Sequence, residues 1–164
     1  MKLIEKEEIY AVVESVTNAL GKPLDRGSYE VKDRKVPHIP EKLPNNKRAI
    51  YMFCYNGIFL KIGKVGSSSS KDRFYNHHYL YKGAKSTLAK SIINDENVKI
   101  DNVNERNIGE WIKSNCQRID IIIDDKIDIF TLNLIEAALH FKYKPIYEGF
   151  KSQRKSKEGF WWKA

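Results

Sequence analysis

The sequence contains little cysteine and no long apolar run. Cys54 and Cys116 are its only cysteines, and their separation does not have the spacing of a metal-binding motif. So few cysteines are typical of a reducing compartment, and we therefore expect an intracellular, cytoplasmic protein. No apolar stretch approaches the roughly 18 residues that a membrane-spanning helix requires. The charged N-terminal stretch MKLIEKEEIY is unlike a signal peptide, so we expect no membrane association.

The chain also lacks a glycine-rich phosphate-binding loop, a zinc signature and an internal repeat. What it has in excess is positive charge, with 29 lysines and arginines against 21 aspartates and glutamates and a net charge of +8. Aromatic residues make up 12% of the chain. A basic domain with interspersed aromatics is typical of proteins whose partner is a polyanion, most often nucleic acid. Many small soluble proteins are equally basic, so charge alone leaves both interpretations open.

The chain is long enough for one domain with a sizeable core, and its composition divides it into three segments. Residues 1–48 comprise a helix over Ile4–Leu20 and a basic, proline-rich connector with one short strand near Tyr29–Val31. Residues 49–149 form the main domain. Residues 150–164 are a basic, aromatic tail that we expect to pack on the same domain. The connector is either a solvated linker or an arm that follows a phosphate backbone.

The main domain opens with a β-hairpin, because Asn56-Gly57 lies between two alternating apolar runs in Ala49–Gly66. A two-residue loop would place Tyr51 opposite Ile62 and would point Lys61 to the other side of the sheet. A loop extended by one residue, with a glycine bulge, would place Tyr51 opposite Lys61. We predict this longer loop because it separates aliphatic from aromatic side chains more cleanly. The predicted faces are Ile50, Met52, Cys54, Ile58, Leu60 and Ile62 on one side, and Tyr51, Phe53, Phe59 and Lys61 on the other.

Three helices are predicted after the hairpin. The first covers Lys71–Tyr79 and brings Arg73 and His77, which are four residues apart, onto one face. The second covers Ser86–Asn94, with its first serine as the N-cap. The third is a short helix over Ile108–Asn115.

A third strand and a long helix complete the domain. Arg118–Asp124 alternates as a strand with its isoleucines on one side, which indicates a central or well-covered position. Ile127–Phe141 is the strongest helical pattern in the chain. Glu136 lies close to the apolar side of this helix, where a carboxylate is costly unless it is paired or binds a cation. The predicted buried stripe of the helix is Leu132, Ile135, Ala138 and Leu139.

The order of these motifs resembles the GIY-YIG nuclease superfamily. Ala49-Ile50-Tyr51 stands in place of Gly-Ile-Tyr, and Lys61-Ile62-Gly63 in place of Tyr-Ile-Gly. Arg73 and His77 are similar to an Arg-x-x-x-His pattern, and Glu136 to a metal-binding glutamate. The segment Lys144-Pro145-Ile146-Tyr147 is similar to the closing segment of the family, although Glu148 follows it where many members have asparagine. The resemblance covers about residues 49–149.

The resemblance implies an α/β (α+β) fold with a three-stranded antiparallel sheet flanked by helices, and the activity of a metal-dependent DNA endonuclease. Glu136 would hold one Mg²⁺ or Mn²⁺ ion. Tyr51 would orient or deprotonate the attacking water, with Lys61 lowering the pKa of its phenol. Arg73 would clamp the phosphate. The implied catalytic set is Tyr51, Lys61, Arg73, His77, His78 and Glu136, with the choice between the two histidines left open.

We expect the partner to be double-stranded DNA, and a homodimer would suit cleavage of both strands. One alternative is a catalytically inactive nucleic-acid-binding module of the same fold, in which the tyrosine-to-lysine change removed activity. Another is an interaction protein whose basic surface meets an acidic protein. The side chains expected to contact phosphates are Lys64, Lys71, Lys85, Lys90, Lys151 and Arg154.

Overall fold

The computed structural model describes residues 1–66, 71–83 and 86–148 of the chain. The C-terminal tail, including Lys151 and Arg154, lies outside the described residues, and so does Lys85. Lys71 begins a helix, but its side chain is not among the described groups. The phosphate contacts expected of these four residues therefore stay predictions.

The centre of the fold is an antiparallel sheet with four strands in the order β1-β4-β2-β3. The mixed α/β class is as predicted, but the sheet has four strands where the sequence predicted three. The additional strand comes from the connector, whose short predicted strand pairs with the edge of the isoleucine-rich strand. The strands are β1 (Tyr29–Asp33), β2 (Lys47–Tyr55), β3 (Ile58–Val65) and β4 (Gln117–Asp124).

Helices cover both faces of the sheet. The described helices are α1 (Lys6–Ala19), α2 (Lys71–Tyr75), α3 (Leu88–Ile93), α4 (Ile108–Asn115) and α5 (Ile129–Tyr143). Side chains from α1 and α5 form one core with the isoleucines of β4, and α2, α3 and α4 form a second core on the opposite face. The predictions of α1, α4, β4 and α5 are confirmed to within a few residues. None of the described helices is long and apolar enough to cross a membrane.

The turn of the β2–β3 hairpin has two residues, so the predicted three-residue loop is wrong. Tyr55 pairs directly with Ile58. Asn56 and Gly57 between them have φ angles of 48° and 81°. Two successive residues with positive φ are typical of a type I′ turn, whose twist matches that of the flanking strands. Asparagine and glycine adopt this conformation at little cost.

The extra residue lies in β3 as a bulge, and this changes which residues face each other. Phe53 pairs with Lys61, so Leu60 is the additional residue of the bulge. Beyond the bulge, Tyr51 pairs with Gly63. The predicted pairing of Tyr51 with Lys61 is therefore wrong. Lys61 nevertheless lies on the same face as Tyr51, because the bulge reverses the alternation of β3.

The bulge also exchanges three apolar side chains between the two faces near the turn. Phe59 packs in the core beneath α1 and α5, where the sequence had placed Ile58 and Leu60. Leu60 and Ile58 lie on the opposite face with Tyr51. Farther from the turn the predicted separation holds, and Cys54 is a buried thiol on the aliphatic face as expected.

Two helix boundaries differ from the predictions. The helix predicted over Lys71–Tyr79 is the shorter α2, which ends at Tyr75. After Asn76 the chain makes a 3₁₀ turn over His77–Tyr79. Thr87, and not Ser86, caps α3, because its side-chain oxygen accepts a hydrogen bond from the backbone N–H of Lys90 at 3.0 Å.

The connector packs against the domain, and several of its cations are paired there. Lys32 contacts Glu41 at 2.8 Å, and Arg34 contacts the same carboxylate at 2.7 Å. Arg34 also pairs with Asp120 of β4. Arg26 contacts Glu14 of α1 at 2.5 Å. Carboxylates of the protein therefore already engage these three cations, which the sequence alone could have assigned to a phosphate backbone.

Candidate active site

Tyr51 lies over Gly63, which is directly opposite on the neighbouring strand. A Cβ atom at Gly63 would overlap the Tyr51 hydroxyl and would lie 2.6 Å from its Cζ atom. Any side chain at position 63 would clash with the Tyr51 ring. A glycine is therefore required there if the ring is to cross β3 at this distance. Since β3 is the last strand of the sheet, the ring reaches toward the sheet edge.

Burial raises the pKa of Tyr51 above its usual value. The largest opposing influence is the positive charge of Arg73, whereas the carboxylates of Glu148 and Glu136 raise the pKa further. The sequence assigned the lowering of this pKa to Lys61, and that assignment does not hold. Tyr51 is therefore a neutral phenol at physiological pH, and it can donate or accept a hydrogen bond but is a poor base.

His78 is the histidine that contacts Tyr51. The centroids of the two rings are 4.6 Å apart, and the imidazole is also 5.6 Å from the ring of Phe53. Within the described part of the chain, neither ring nitrogen of His78 has a hydrogen-bond partner, although the side chain is only 2% exposed. Burial lowers the pKa of His78 well below its usual value, and Lys61 lowers it further. The imidazole is therefore neutral, while His77 is partly exposed.

Lys61 holds the segment that follows α5 against the sheet. Its ammonium group lies 2.8 Å from a carboxylate oxygen of Glu148, 3.4 Å from the carbonyl oxygen of Tyr147 and 3.5 Å from the hydroxyl of Ser86. The backbone N–H of Tyr147 donates to the carbonyl of Leu60 at 2.8 Å. Lys61 is only 4% exposed, so these acceptors satisfy a nearly buried cation. Lys61 therefore fixes the segment at Tyr147 and Glu148 to β3, with Glu148 as its charged partner.

Glu136 projects from α5 and pairs with Lys64 of β3. The carboxylate is 18% exposed, and its charge is among those that act on Tyr51. The ion pair with Lys64 thus offsets the desolvation cost of placing a carboxylate beside an apolar helix face. The sequence had assigned this lysine to phosphate contact.

Arg73 is exposed on α2, within electrostatic range of Tyr51. An exposed guanidinium beside a buried phenol can approach a phosphate from solvent and bind two of its oxygens. Lys90 lies on α3 and is partly buried.

Near Tyr51, the side chain to consider as a ligand of a hard cation is Glu136. No group of three or more histidine, cysteine, aspartate or glutamate side chains is placed to hold a metal ion among the described residues. Glu136 offers a charged, partly exposed carboxylate, and Mg²⁺ commonly binds one or two carboxylates while keeping several water ligands. An ion bound there would have to share the carboxylate with Lys64 or displace the lysine.

Sequence reasoning missed three charged residues around the site, namely Arg118, Asp120 and Glu148. The isoleucines of β4 indicate one buried face of the strand, and Arg118 and Asp120 alternate with them. Helices cover both faces of this strand, so Arg118 and Asp120 are fully buried. The sequence signal for these buried charges was the alternation of charged residues with isoleucines in a strand expected to be covered on both faces.

No protein-family model, curated protein or solved structure matches the chain. The resemblance to a nuclease superfamily therefore rests on the motif residues alone.

Proposed function

We propose that the protein is a metal-dependent endonuclease that hydrolyses phosphodiester bonds in DNA. The observation that carries the proposal is the position of Tyr51, whose ring lies over Gly63 of the edge strand and packs against His78. His78 packs on its ring, and the charges of Arg73 and Glu136 act on its hydroxyl. A phenol, a guanidinium, an imidazole and a carboxylate gathered at a sheet edge are the groups that phosphoryl transfer uses for positioning and charge neutralisation.

Each side chain has a role that follows from its surroundings. Tyr51 carries its proton and would orient the attacking water through its hydroxyl. Arg73 would bind the phosphate from the solvent side. His78 packs on the Tyr51 ring, and among the described residues its two buried ring nitrogens have no hydrogen-bond partner. Lys61, held by Glu148, would order the edge of the site.

Glu136 is the residue that would hold a divalent cation such as Mg²⁺ or Mn²⁺. When bound, such an ion supplies charge neutralisation to the phosphate and to the leaving oxygen. Lys64 would keep the Glu136 carboxylate paired in the absence of the ion.

The test is nicking of supercoiled plasmid by the full-length chain with Mg²⁺, with Mn²⁺ and with excess chelator. We expect cleavage that requires the divalent ion and that falls by roughly 100-fold or more in Tyr51→Phe and Glu136→Ala. Glu110→Ala is a matched control, because Glu110 is an exposed carboxylate on α4 that pairs with Lys113. The proposal fails if the wild-type chain is inert with both metals. It also fails if Tyr51→Phe and Glu136→Ala cleave as fast as Glu110→Ala and the wild-type chain.

A second candidate is a nucleic-acid-binding module that does not cleave. Two observations favour it, since both carboxylates near Tyr51 are paired with lysines and the pKa of the phenol is raised. This candidate predicts salt-dependent binding of DNA by the wild-type chain, no strand cleavage with either metal, and unchanged binding in Tyr51→Phe.

A further inference from the structure

The side chain of Arg118 is fully buried beneath the candidate site and donates hydrogen bonds to three different elements. Its Nη2 donates to the backbone carbonyl of Phe74 in α2 at 2.7 Å. Its Nη1 donates to the hydroxyl of Tyr79 in the 3₁₀ turn at 2.9 Å, and its Nε to a carboxylate oxygen of Asp120 at 2.9 Å. All three nitrogens of the guanidinium are therefore used.

The surroundings keep this guanidinium charged and fixed in place. Asp120, which is also fully buried, lies beside Arg118 on β4 and accepts a second ion pair from Arg34. The guanidinium carbon lies 4.5 Å from the ring centroid of Phe74 and 5.4 Å from that of Phe53. An arginine packed between rings and paired with a buried carboxylate has little freedom to move.

The two groups that Arg118 holds outside its own strand are next in sequence to site residues. Phe74 follows Arg73, and Tyr79 follows His78. The helix α2 is only five residues long, and an isolated helix of this length does not hold its shape without external contacts. The Arg118 guanidinium supplies two such contacts, one at each end of the segment that carries the site residues.

We infer that Arg118 is a positioning residue for the site around Tyr51. It fixes the segment from α2 through the 3₁₀ turn, so that Arg73 stays at the surface and His78 stays packed on Tyr51. The inference rests on the proposed function for its catalytic consequence, but the positioning itself can be measured without any cleavage. A lysine could keep the charge beside Asp120, but it has no planar fork to reach Phe74 and Tyr79 together.

The test is Arg118→Lys in the full-length chain, read by proton NMR of the His78 ring and by plasmid nicking. In the wild-type protein the His78 ring protons should carry the ring-current shift of the adjacent Tyr51 and Phe53 rings. In Arg118→Lys we expect this shift to be reduced, the amide resonances of residues 73–79 to move, and kcat to fall by roughly 10- to 100-fold. Lys47→Met is the control, because it removes a partly exposed ion pair with Asp124 at the far end of the same sheet.

Tyr79→Phe is the second variant, and it keeps the ring while removing the hydroxyl that accepts from Arg118. It should displace the His78 signals in the same direction and lower kcat less than Arg118→Lys does. Unchanged His78 signals in a folded Arg118→Lys or Tyr79→Phe protein would overturn the positioning role. If the signals move as expected but the wild-type chain does not cleave DNA, the positioning role stands and the proposed function fails.

Discussion

At Gly63 the absence of a side chain decides where Tyr51 can lie. Strand residues that face each other normally keep their side chains parallel, each above its own strand. Here the tyrosine ring leans across its partner, because Gly63 leaves the space open. The hydroxyl consequently reaches the sheet edge, where the charges of Arg73 and Glu136 act on it.

Gly63→Ala should therefore displace Tyr51. The added Cβ overlaps the phenol, and we expect a loss of about 1–3 kcal/mol in the free energy of unfolding together with a large loss of cleavage. Urea unfolding of Gly63→Ala, Tyr51→Phe and the double variant checks this. The double variant should lose less stability than the sum of the single variants, since removing the hydroxyl relieves part of the overlap. Strict additivity would contradict the proposed contact.

The burial of His38 predicts that the free energy of unfolding decreases at acidic pH. Its Nδ1 donates to the carbonyl of Cys116, and its Nε2 accepts from the hydroxyl of Tyr79, both at 2.8 Å. Burial lowers the pKa of His38 from 6.5 to about 4. The unfolded chain therefore binds a proton between these pH values that the folded protein does not, so stability is present above pH 6.5 and is lost as the pH falls toward 4.

The expected contribution of His38 is about 3 kcal/mol of unfolding free energy lost between neutral pH and pH 4. His38→Gln, which can keep both hydrogen bonds, should show a shallower acid dependence than wild type in urea titrations across this range. Buried His78 acts in the same direction and is present in both proteins, so the difference between them isolates His38. Parallel pH profiles would contradict the prediction.

At the scale of elements, the turn that follows α5 is hydrogen-bonded to the edge strand of the sheet. The backbone N–H groups of Ile146 and Tyr147 donate to the carbonyls of Phe59 and Leu60 at 3.1 and 2.8 Å. Glu148 then holds this segment through Lys61. The edge of β3 next to the bulge is thereby covered, which is a common way of protecting an exposed strand edge.

Glu148→Gln should loosen this segment. The variant keeps the shape of the side chain but leaves the nearly buried Lys61 ammonium with neutral acceptors, which we expect to cost about 1–3 kcal/mol. Hydrogen exchange of the Ile146 and Tyr147 amides should accelerate by more than that of the central strands. Glu110→Gln, in an exposed pair with Lys113, should leave these amides unchanged. Equal protection in both variants would show that backbone pairing alone holds the segment.

The sequence predicted these elements better than it predicted their pairing. Helices α1, α4 and α5 and strand β4 follow from apolar spacing, since that spacing reports which face is buried. The bulge at Leu60 could not be predicted, because a bulge depends on what packs on both faces of the strand and only the alternation is visible in the sequence. Tyr51, Arg73 and Glu136 were selected by their motifs and stay predicted site residues. Lys61 was assigned to the phenol because the two share a face of the hairpin, whereas its charged partner in the structure is Glu148, which lies far away in sequence.

At the scale of the whole molecule, the excess of positive charge is not concentrated around Tyr51, because carboxylates already pair several of the cations near it. The chain carries +8, but Arg34 and Arg118 are buried on Asp120, and Lys61 and Lys64 are paired with glutamates. Arg73 is exposed beside the site. We therefore expect contact with few phosphates near Tyr51.

Binding of DNA should weaken with salt, but only moderately. If two phosphates are neutralised, affinity should fall by about tenfold between about 50 and 200 mM salt. Fluorescence anisotropy with a labelled duplex and no divalent metal measures this slope. Arg73→Gln should reduce the slope by about one phosphate, and Glu136→Gln should not reduce it. The absence of any binding at low salt would favour a protein partner for the basic surface.

The strand order has a consequence for how the chain acquires its structure. Among the described strands, only β2 and β3 are both adjacent in sequence and paired, whereas β1 and β2 both pair with β4, which is made much later. During synthesis on the ribosome, the hairpin can form early, but β1 has no partner until β4 has emerged. Until then the apolar face of β1 and the edge of β2 stay open to contact with other chains. We therefore expect the protein to be most prone to aggregation when translation slows or stops before β4 is made.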